Sequence, residues 1–374
     1  QSARNCTSFA ILVMWGMKIL FIVSDINQIG GIQYYNRYLL TTLKELSQNV
    51  LLVERMFGPL SRAKFVFDFF VGLISFRPDV VICGHINFSP LVYSAYKFFG
   101  VSYIINTHGI EVWDIKSAFK LKILERAKLI VSVSNYTKDQ IIRQLPEGKE
   151  KIFILPSYVD SEIFFIKKEK PSFLLQRHSL DVKDKIVLTM ARLRANEKYK
   201  GYDKVIRVLP SIVREIPNVK YVLVGAGDDL DYVKDLVRNL NLEKYFVSTG
   251  FVEESELVDY YNLCDVFVMP SAQEGFGSAF LGALACGKPV IAGNKDGSRD
   301  AVLDGKLGVL VNPDNLSEIA EAIVNVLKKN VSKSLVNSNF LRNQVLEAYG
   351  VDKFKAKVSN LLNELSSPSL LKHV

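Results

Sequence analysis

The stretch CDVFVMPSAQEGFGSAFLGALACGKPVIAG, Cys264 to Gly293, contains a complete strand, loop, helix and second strand. The apolar run CDVFVMPS predicts a buried strand, SAFLGALACG predicts a helix that ends at Gly287, and KPVIAG predicts the next strand. Two apolar strands joined by a helix are typical of a parallel sheet. The stretch therefore predicts an α/β fold in this part of the chain.

The same alternation occurs twice along the chain. The predicted strands of the first half are KILFIVS, DVVICGH, SYIINTH, LIVSVS and KIFILP, and those of the second are IVLTMAR, VKYVLVGAG, YFVSTG, DVFVMPS and KPVIAG. A charged segment after Phe165, interrupted by proline, separates the two halves. We therefore predict two doubly wound domains that face each other across a central cleft lined by the carboxyl ends of the strands. The final run VDKFKAKVSNLLNEL predicts an amphipathic helix.

Composition limits the partners and the compartment. The 374 residues include 47 Lys and Arg against 39 Asp and Glu, a net charge of +8, which favours nucleotides, phosphates or acidic membrane surfaces. The 4 cysteines form no CxxC pair, so a reducing cytoplasm fits best. The run FAILVMW is far shorter than the roughly 20 residues of a spanning helix. Residues 1–16 are left out of the fold prediction.

The loop AQEGFG places one acid and two glycines at the N terminus of a predicted helix. The amides of Gly275 and Gly277 can approach a ligand without obstruction by a Cβ atom, and the carboxylate of Glu274 can accept hydrogen bonds from hydroxyl groups. An acid that only complements the helix dipole is the alternative.

The segment MARLRANEKYKGYD supplies two cations at the end of a predicted strand. Arg192 offers a planar fork and Lys200 a mobile point charge, which together suit a diphosphate. A solvated, lysine-rich loop is the alternative, and we prefer it for Lys198. With the Glu274 loop, these cations indicate a site for a sugar diphosphate.

Other motifs are less specific. Gly30 and Gly31 follow the first strand, where helix amides can hold an anion or a hydroxyl, although a tight turn explains them equally well. GAGDDL lacks the third glycine of a dinucleotide fingerprint, so a nicotinamide enzyme is disfavoured. Asp229 and Asp231 have the spacing of a DxD metal motif, but we expect them only to complement a helix dipole. NTHGIE predicts that the ring of His108 points into the cleft, with a structural histidine as the alternative.

Together these residues resemble the retaining glycosyltransferases of family 4, which have the GT-B fold of two facing Rossmann-like domains. The likeness extends from Met17 over nearly the whole chain and includes THG, SVSNYTKD, ARL with YKGYD, LVGAGD, TGFV, EGFG and ACGKPVIA. It implies an acceptor-binding domain over 17–165, a nucleotide-sugar-binding domain over 183–345, and a C-terminal crossover helix within 346–374 that returns to the first domain.

The resemblance also implies a role for each candidate residue. Arg192 and Lys200 would hold the donor diphosphate, Glu274 would hold the sugar hydroxyls, and His108 would contact the sugar from the opposite side. These four are the predicted catalytic residues, and no metal is expected. The predicted donor-binding residues are Gly30, Gly31, Gly225, Gly250, Phe251, Val252, Gly275, Phe276, Gly277, Ser278 and Ala279.

The sequence departs from the family pattern at two places. The usual PNGVD reads PSYVD, with Ser157 and Tyr158. The usual Glu-x7-Glu reads Glu274-x7-Gly282, so the acid that would hold the nucleotide ribose is missing. We expect position 282 to be directed toward the ribose.

The implied function is that of a metal-independent, retaining hexosyltransferase without a cofactor. Its donor would be UDP-glucose or a related UDP-hexose, and its acceptor a polysaccharide or a glycolipid. We expect a cytoplasmic protein without nucleic-acid partners. SRAKFVFDFFVGLISFR and IKSAFKLKILERAK interleave basic residues with apolar ones, which favours peripheral contact with the inner face of an anionic membrane. Helices that pack their apolar faces on the first sheet explain the pattern at least equally well. The alternatives are a catalytically weak sugar-nucleotide-binding scaffold and a GT-B epimerase.

Overall fold

The computed structural model describes residues 16–366 except 29, 48, 57 and 59. The run FAILVMW lies outside the described residues. The chain divides into two compact units: the described part of unit 1 comprises 16–157 and 352–366, and unit 2 comprises 158–351. Each unit contains a parallel six-stranded sheet, so the predicted α/β class with two doubly wound sheets is confirmed.

The sheet of unit 1 has the strand order β2-β1-β3-β4-β5-β6. Its strands are β1 (Ile19–Ser24), β2 (Val50–Arg55), β3 (Val80–Cys83), β4 (Ser102–Thr107), β5 (Leu129–Ser132) and β6 (Ile152–Ile154). Five consecutive residues of β1, from Ile19 to Val23, are fully buried. A strand that is buried on both faces needs apolar side chains at every position, which explains the continuous run ILFIV.

Amphipathic helices alternate with these strands. They are α1 (Gly31–Leu46), α2 (Ser61–Phe76), α3 (Ser89–Phe99), α4 (Ala118–Arg126) and α5 (Asn135–Gln144). Phe65, Phe69 and Leu73 of α2 recur at helical spacing and pack with Leu20 and Ile22 of β1 in one core.

Unit 2 repeats this plan with the strand order β12-β11-β10-β7-β8-β9. Its strands are β7 (Lys185–Met190), β8 (Val219–Val224), β9 (Phe246–Gly250), β10 (Val266–Met269), β11 (Val290–Gly293) and β12 (Val309–Val311). Its helices are α6 (Ser172–Arg177), α7 (Tyr202–Glu215), α8 (Leu230–Asn239), α9 (Leu257–Leu263), α10 (Ser278–Ala285), α11 (Ser298–Ala301), α12 (Leu316–Leu327) and α13 (Ser338–Tyr349).

In each sheet the strand order reverses beside the first strand of the unit. β1 lies between β2 and β3, and β7 lies between β8 and β10. The loops that follow the strands diverge at such a point and leave a crevice at the carboxyl edge of the sheet, where doubly wound proteins bind ligands. The candidate residues of each unit follow strands at this edge.

The last helix, α14 (Val351–Ser366), follows α13 directly, and from Asp352 onward it belongs to unit 1. Its Phe354 ring lies 5.9 Å from the Tyr35 ring and 5.3 Å from the Tyr38 ring, centroid to centroid. Lys355 forms an ion pair with Glu45 at 2.7 Å. This helix therefore packs on α1.

Three cysteines, Cys83, Cys264 and Cys286, are buried free thiols. Across the described part of the chain, no helix has the length and the apolar character that crossing a bilayer requires.

Candidate active site

Glu274 lies in the loop between β10 and α10, at the carboxyl end of a strand near the centre of its sheet. Gly277 precedes α10 and has φ 88°, a left-handed conformation that glycine adopts without strain. A Cβ atom there would lie 2.6 Å from the ring of Phe280. Glycine at this position therefore lets the loop turn sharply into the helix.

Lys200 and Glu274 form a direct ion pair. Lys200 Nζ donates to Glu274 Oε2 at 3.0 Å, and the two side chains are only 14% and 20% exposed. Burial is the largest single influence and lowers the pKa of Lys200, but Glu274, Tyr199 and Glu197 together outweigh it and hold that pKa above its ordinary value. Lys200 therefore stays charged. The structure brings two predicted catalytic residues together.

Close backbone contacts hold the two loops in place. Ala272 N donates to Tyr199 O at 2.9 Å, and this bond joins the Glu274 loop to the Lys200 loop. Gly201 has φ 78°, and a Cβ atom there would lie 2.6 Å from Pro270 O. The YKG sequence therefore lets the Lys200 loop approach the end of β10.

Arg192 pairs with an acid that the sequence did not single out. Its Nη2 lies 3.0 Å from Glu197 Oε1, and the side chains are 54% and 10% exposed, respectively. Among the described residues, Oε2 of Glu197 has no hydrogen-bond partner. Each of the two predicted diphosphate-binding cations thus has a carboxylate beside it. Glu197 was not singled out because the charged composition of its loop is typical of a solvated surface.

Asp296 is a second residue that sequence reasoning missed. It is fully buried and accepts hydrogen bonds from Ser271 Oγ at 2.7 Å, Glu274 N at 2.6 Å and Ser298 N at 2.9 Å. Burial raises the pKa of Asp296 to about 6, although these hydrogen bonds act in the opposite direction. Its position three residues after the strand KPVIAG was the available signal. Asp296 anchors the backbone from which Glu274 projects.

The other predicted residues around α10 differ in what they contact. Ser278 and Ala279 form its first turn, and Ala279 O accepts a bond from the Tyr261 hydroxyl at 2.9 Å. The Phe276 ring is buried and packs edge-on against Tyr349 at 5.3 Å, so its side chain belongs to the core. Gly275 O would lie 2.1 Å from a Cβ atom at Gly297, which shows how closely the Asp296 loop lies against the Glu274 loop.

The expectation that position 282 is directed toward a ribose is wrong. Gly282 is buried, and a Cβ atom there would lie 2.6 Å from Cε2 of Tyr261. The Tyr261 ring is itself packed against Phe164 and Phe267, at 5.8 Å and 5.6 Å. Gly282 therefore leaves room for an aromatic ring in the core of unit 2.

The predicted glycines at the ends of β8 and β9 contact each other. Gly225 N donates to Gly250 O at 2.9 Å. Gly225 has φ 147°, and a Cβ atom there would lie 1.8 Å from Ala191 O, so close packing requires glycine. Beyond Gly250, the Phe251 side chain is exposed and Val252 is half-buried.

In unit 1, His108 follows β4 and is half-buried. With Nε2 protonated, its ring donates to Gly84 O at 2.9 Å, and it lies 5.3 Å from the Tyr35 ring and 6.0 Å from the His85 ring. Burial lowers the pKa of His108, although Glu111 acts against this shift. Burial and then His108 lower the pKa of His85 to about 4. The two rings are therefore neutral near pH 7.

The turn after β1 leads directly into α1. Gly30 precedes the helix in an extended conformation, Gly31 is its first residue, and Gly30 O accepts a bond from Tyr34 N at 2.9 Å. A Cβ atom at Gly30 would lie 2.4 Å from Gln33 Oε1.

The described residues contain no group of three or more His, Cys, Asp and Glu side chains that could hold a metal ion. Asp229 instead accepts a bond from the Tyr202 hydroxyl at 2.7 Å and pairs with Lys198 at 3.1 Å. The absence of a metal requirement stays a prediction.

Comparisons with known proteins give a family match that lies within unit 2. Residues 172–339 match the family Glycosyl transferases group 1. The chain is 29% identical over 236 residues to the GDP-mannose-dependent alpha-(1-6)-phosphatidylinositol monomannoside mannosyltransferase of Mycolicibacterium smegmatis, with 60% of each chain covered. It is 31% identical to an uncharacterized glycosyltransferase of Methanocaldococcus jannaschii, over 62% of this chain and 59% of that protein. The chain thus spans about 60% of the length of the relatives it matches.

Solved structures match over nearly the whole chain. Sucrose-phosphate synthase from Thermosynechococcus elongatus has a TM-score of 0.79 at 20% identity and covers 93% of this chain and 99% of its own. Anabaena Alr3699/HepE in complex with UDP and glucose has a TM-score of 0.76 at 20% identity, over 92% and 99%. At this identity the likeness establishes the fold. The family match, which spans 172–339, and the two parallel sheets support a glycosyltransferase of GT-B fold.

Proposed function

We propose that the protein is a retaining, metal-independent glycosyltransferase that moves a hexose from a nucleotide sugar to a polysaccharide or glycolipid acceptor. The observation that carries this proposal is the ion pair of Lys200 and Glu274 at the carboxyl end of β10. A cation that can bind phosphate lies there beside a carboxylate that can accept hydrogen bonds from sugar hydroxyls, which is the combination that a sugar diphosphate requires. The family match over 172–339 supports it.

The proposed chemistry depends on the leaving group. Negative charge develops on the diphosphate as the bond to the sugar breaks, and Lys200 with Arg192 would stabilise that charge. Glu274 would hold the sugar through its hydroxyls rather than attack the anomeric carbon. The departing phosphate would then help to deprotonate the acceptor on the same face, so that the anomeric configuration is retained. These residues supply the charge stabilisation without a metal.

For the donor we propose UDP-glucose or a related UDP-hexose. The similar structure of Anabaena Alr3699/HepE is a complex with UDP and glucose, whereas the similar mannosyltransferase is described as GDP-mannose-dependent. GDP-mannose is therefore the second candidate, and Lys200, Arg192 and Glu274 would serve either donor because none of them needs to contact the base.

We also propose peripheral contact with an anionic membrane through α2. This helix buries Phe65, Phe69 and Leu73 but exposes a second apolar stripe, Phe67, Val71 and Ile74, with Phe67 67% and Ile74 63% exposed. The residues of this stripe recur at helical spacing, and the exposed Arg62 and Lys64 lie near its start. Apolar side chains next to basic ones are typical of helices that bind a membrane surface.

Product analysis tests the proposed activity. The protein is incubated with UDP-glucose or GDP-mannose, with and without a membrane glycolipid extract and with and without EDTA. We expect nucleoside diphosphate and a glycosylated product with an α-linked sugar, unaffected by EDTA. Conversion of the donor sugar without an acceptor would establish an epimerase instead. Binding of the donor without any turnover would establish a scaffold.

A further inference from the structure

Unit 1 contains a cavity of about 470 Å³ between α2 and α3 that none of the roles above explains. Its lining includes Arg55, the last residue of β2, and Asn87 and Phe88, which lie in the short 3-10 turn between β3 and α3. Since β1 lies between β2 and β3, the cavity lies at the carboxyl edge where the strand order reverses. Both this place and this volume are typical of ligand sites.

The walls of the cavity are apolar. Phe65 and Phe70 of α2 line it, as do Phe88 and Leu91. The rings of Phe65 and Phe88 lie 5.0 Å apart, centroid to centroid, so they form one continuous surface. Such a surface accommodates a hydrocarbon chain.

Two guanidinium groups complete the lining. Arg55 is half-buried and Arg62 is exposed in the first turn of α2. In the described part of the chain, neither guanidinium group has a hydrogen-bond or ion-pair partner, and no acid lines the cavity. Lys120 adds a third positive charge nearby, because its Nζ donates to Asn87 Oδ1 at 3.2 Å. Arginines without partners beside an apolar wall favour a phosphate that is attached to a hydrocarbon chain.

We propose that this cavity binds the phosphate head and the first carbon atoms of an anionic lipid that carries the sugar acceptor. The proposal rests on the proposed glycolipid-directed function and names the chemical class of the acceptor. Arg55 and Arg62 bind the phosphate, and the phenylalanine walls contact the chain.

An apolar contact leads from the cavity lining toward the surface. Phe70 lines the cavity, and its ring lies 6.3 Å from that of the half-exposed Phe99. Phe99 and the exposed Phe98 end α3, near the exposed stripe of α2. A lipid can therefore keep its chain in a membrane while its head occupies the cavity.

Calorimetry with decyl phosphate below its micelle-forming concentration tests this proposal without any sugar nucleotide. We expect binding of decyl phosphate to be at least roughly tenfold tighter than binding of inorganic phosphate or decanol, because each of these lacks one half of the recognised group. Equal binding of either fragment, or no binding of decyl phosphate, overturns the proposal.

Two variants locate the site. Arg62→Gln, at an exposed position, and the double variant Arg55→Gln with Arg62→Gln should weaken decyl phosphate binding, the double variant by roughly tenfold or more. The matched control, Arg143→Gln with Lys149→Gln, removes the same charge from exposed positions outside the cavity and should bind like the wild type. Equal losses in both double variants would show a general charge effect and overturn the assignment.

The experiments distinguish failure of the lipid site from failure of the proposed function. If the wild type binds decyl phosphate but transfers no sugar, the proposed function fails while the lipid site stands. If it transfers sugar but the arginine variants bind decyl phosphate normally, the lipid site fails while the function stands.

Discussion

Lys200 Nζ lies 3.0 Å from Glu274 Oε2, in a half-buried pair that joins the loop after β7 to the loop after β10. The two residues are expected to contact different parts of one donor, the diphosphate and the sugar. Each therefore holds the other in position before the donor arrives. A change to either residue should consequently affect the binding of both parts.

The burial of Gly282 predicts that any side chain there destabilises unit 2. Gly282→Ala should lower the free energy of unfolding by about 1 to 3 kcal/mol in urea titrations, because the added methyl group overpacks the Tyr261 ring. Gly148→Ala is the control, since its Cβ atom would have its nearest contact at 3.6 Å. Gly282→Glu should not tighten UDP binding. A stable variant with tighter binding would show that the position faces the ribose after all.

Asp296 predicts a specific dependence of stability on pH. Its pKa is raised from 3.8 to about 6, chiefly by burial, so the folded state binds the proton more tightly than the unfolded chain. The resulting stability is complete below about pH 4 and is lost as the pH rises through about 6. The shift corresponds to about 3 kcal/mol.

Urea titrations of the wild type and Asp296→Asn across this range measure the effect. Because both proteins retain the nearby Glu274 and Lys200, the difference between their free energies of unfolding reports on Asp296. We expect the stability of the wild type to fall relative to the variant between about pH 4 and 6. Parallel curves would contradict a raised pKa at this carboxyl group.

The paired histidines predict neutral rings under mildly acidic conditions. Burial and then His108 lower the pKa of His85 to about 4, and burial lowers the pKa of His108. In nitrogen NMR spectra of labelled protein, neither ring should titrate near the ordinary value. His108→Gln should raise the pKa of His85 because it removes the neighbouring charge. Titration of both rings near 6.5 would mean that they are solvated.

The exposed stripe of α2 predicts binding to anionic vesicles that weakens with salt. In flotation with phosphatidylglycerol vesicles, Phe67→Ser with Ile74→Ser should release most of the bound protein, because these side chains provide the apolar contact. Val182→Ser changes an exposed apolar residue of unit 2 and serves as the control. Equal binding of both variants, or binding to neutral vesicles alone, would refute the contact through α2.

The fold could be predicted largely from apolar periodicity. Two strands, β2 and β12, were not predicted, and the structure explains why. β2 has charged residues at its end and only one fully buried position, and β12 has three residues. Both lie at sheet edges, where burial is incomplete and the apolar signal is short. Strands buried on both faces, such as β1 and β10, were apparent because nearly every position is apolar.

The candidate site could be predicted where a charged residue is part of a recognisable sequence motif. Glu274, Arg192 and Lys200 stand out beside glycines or at strand ends. Asp296 and Glu197 were not apparent, because their importance arises from burial and from partners that the sequence pattern does not reveal. The error at Gly282 has the same origin, since helical spacing cannot show that Tyr261 fills the neighbouring space.

The central claim is that Lys200 and Glu274 act together on a nucleotide-sugar donor. The most direct test is kcat/KM for sugar transfer by Lys200→Met, Glu274→Gln and the double variant, with Lys234→Met on the exposed face of α8 as the control. We predict that each single variant loses about 10² to 10³-fold, that the double variant loses much less than the product of the single losses, and that the control is unaffected. Near wild-type transfer by either single variant would contradict the claim.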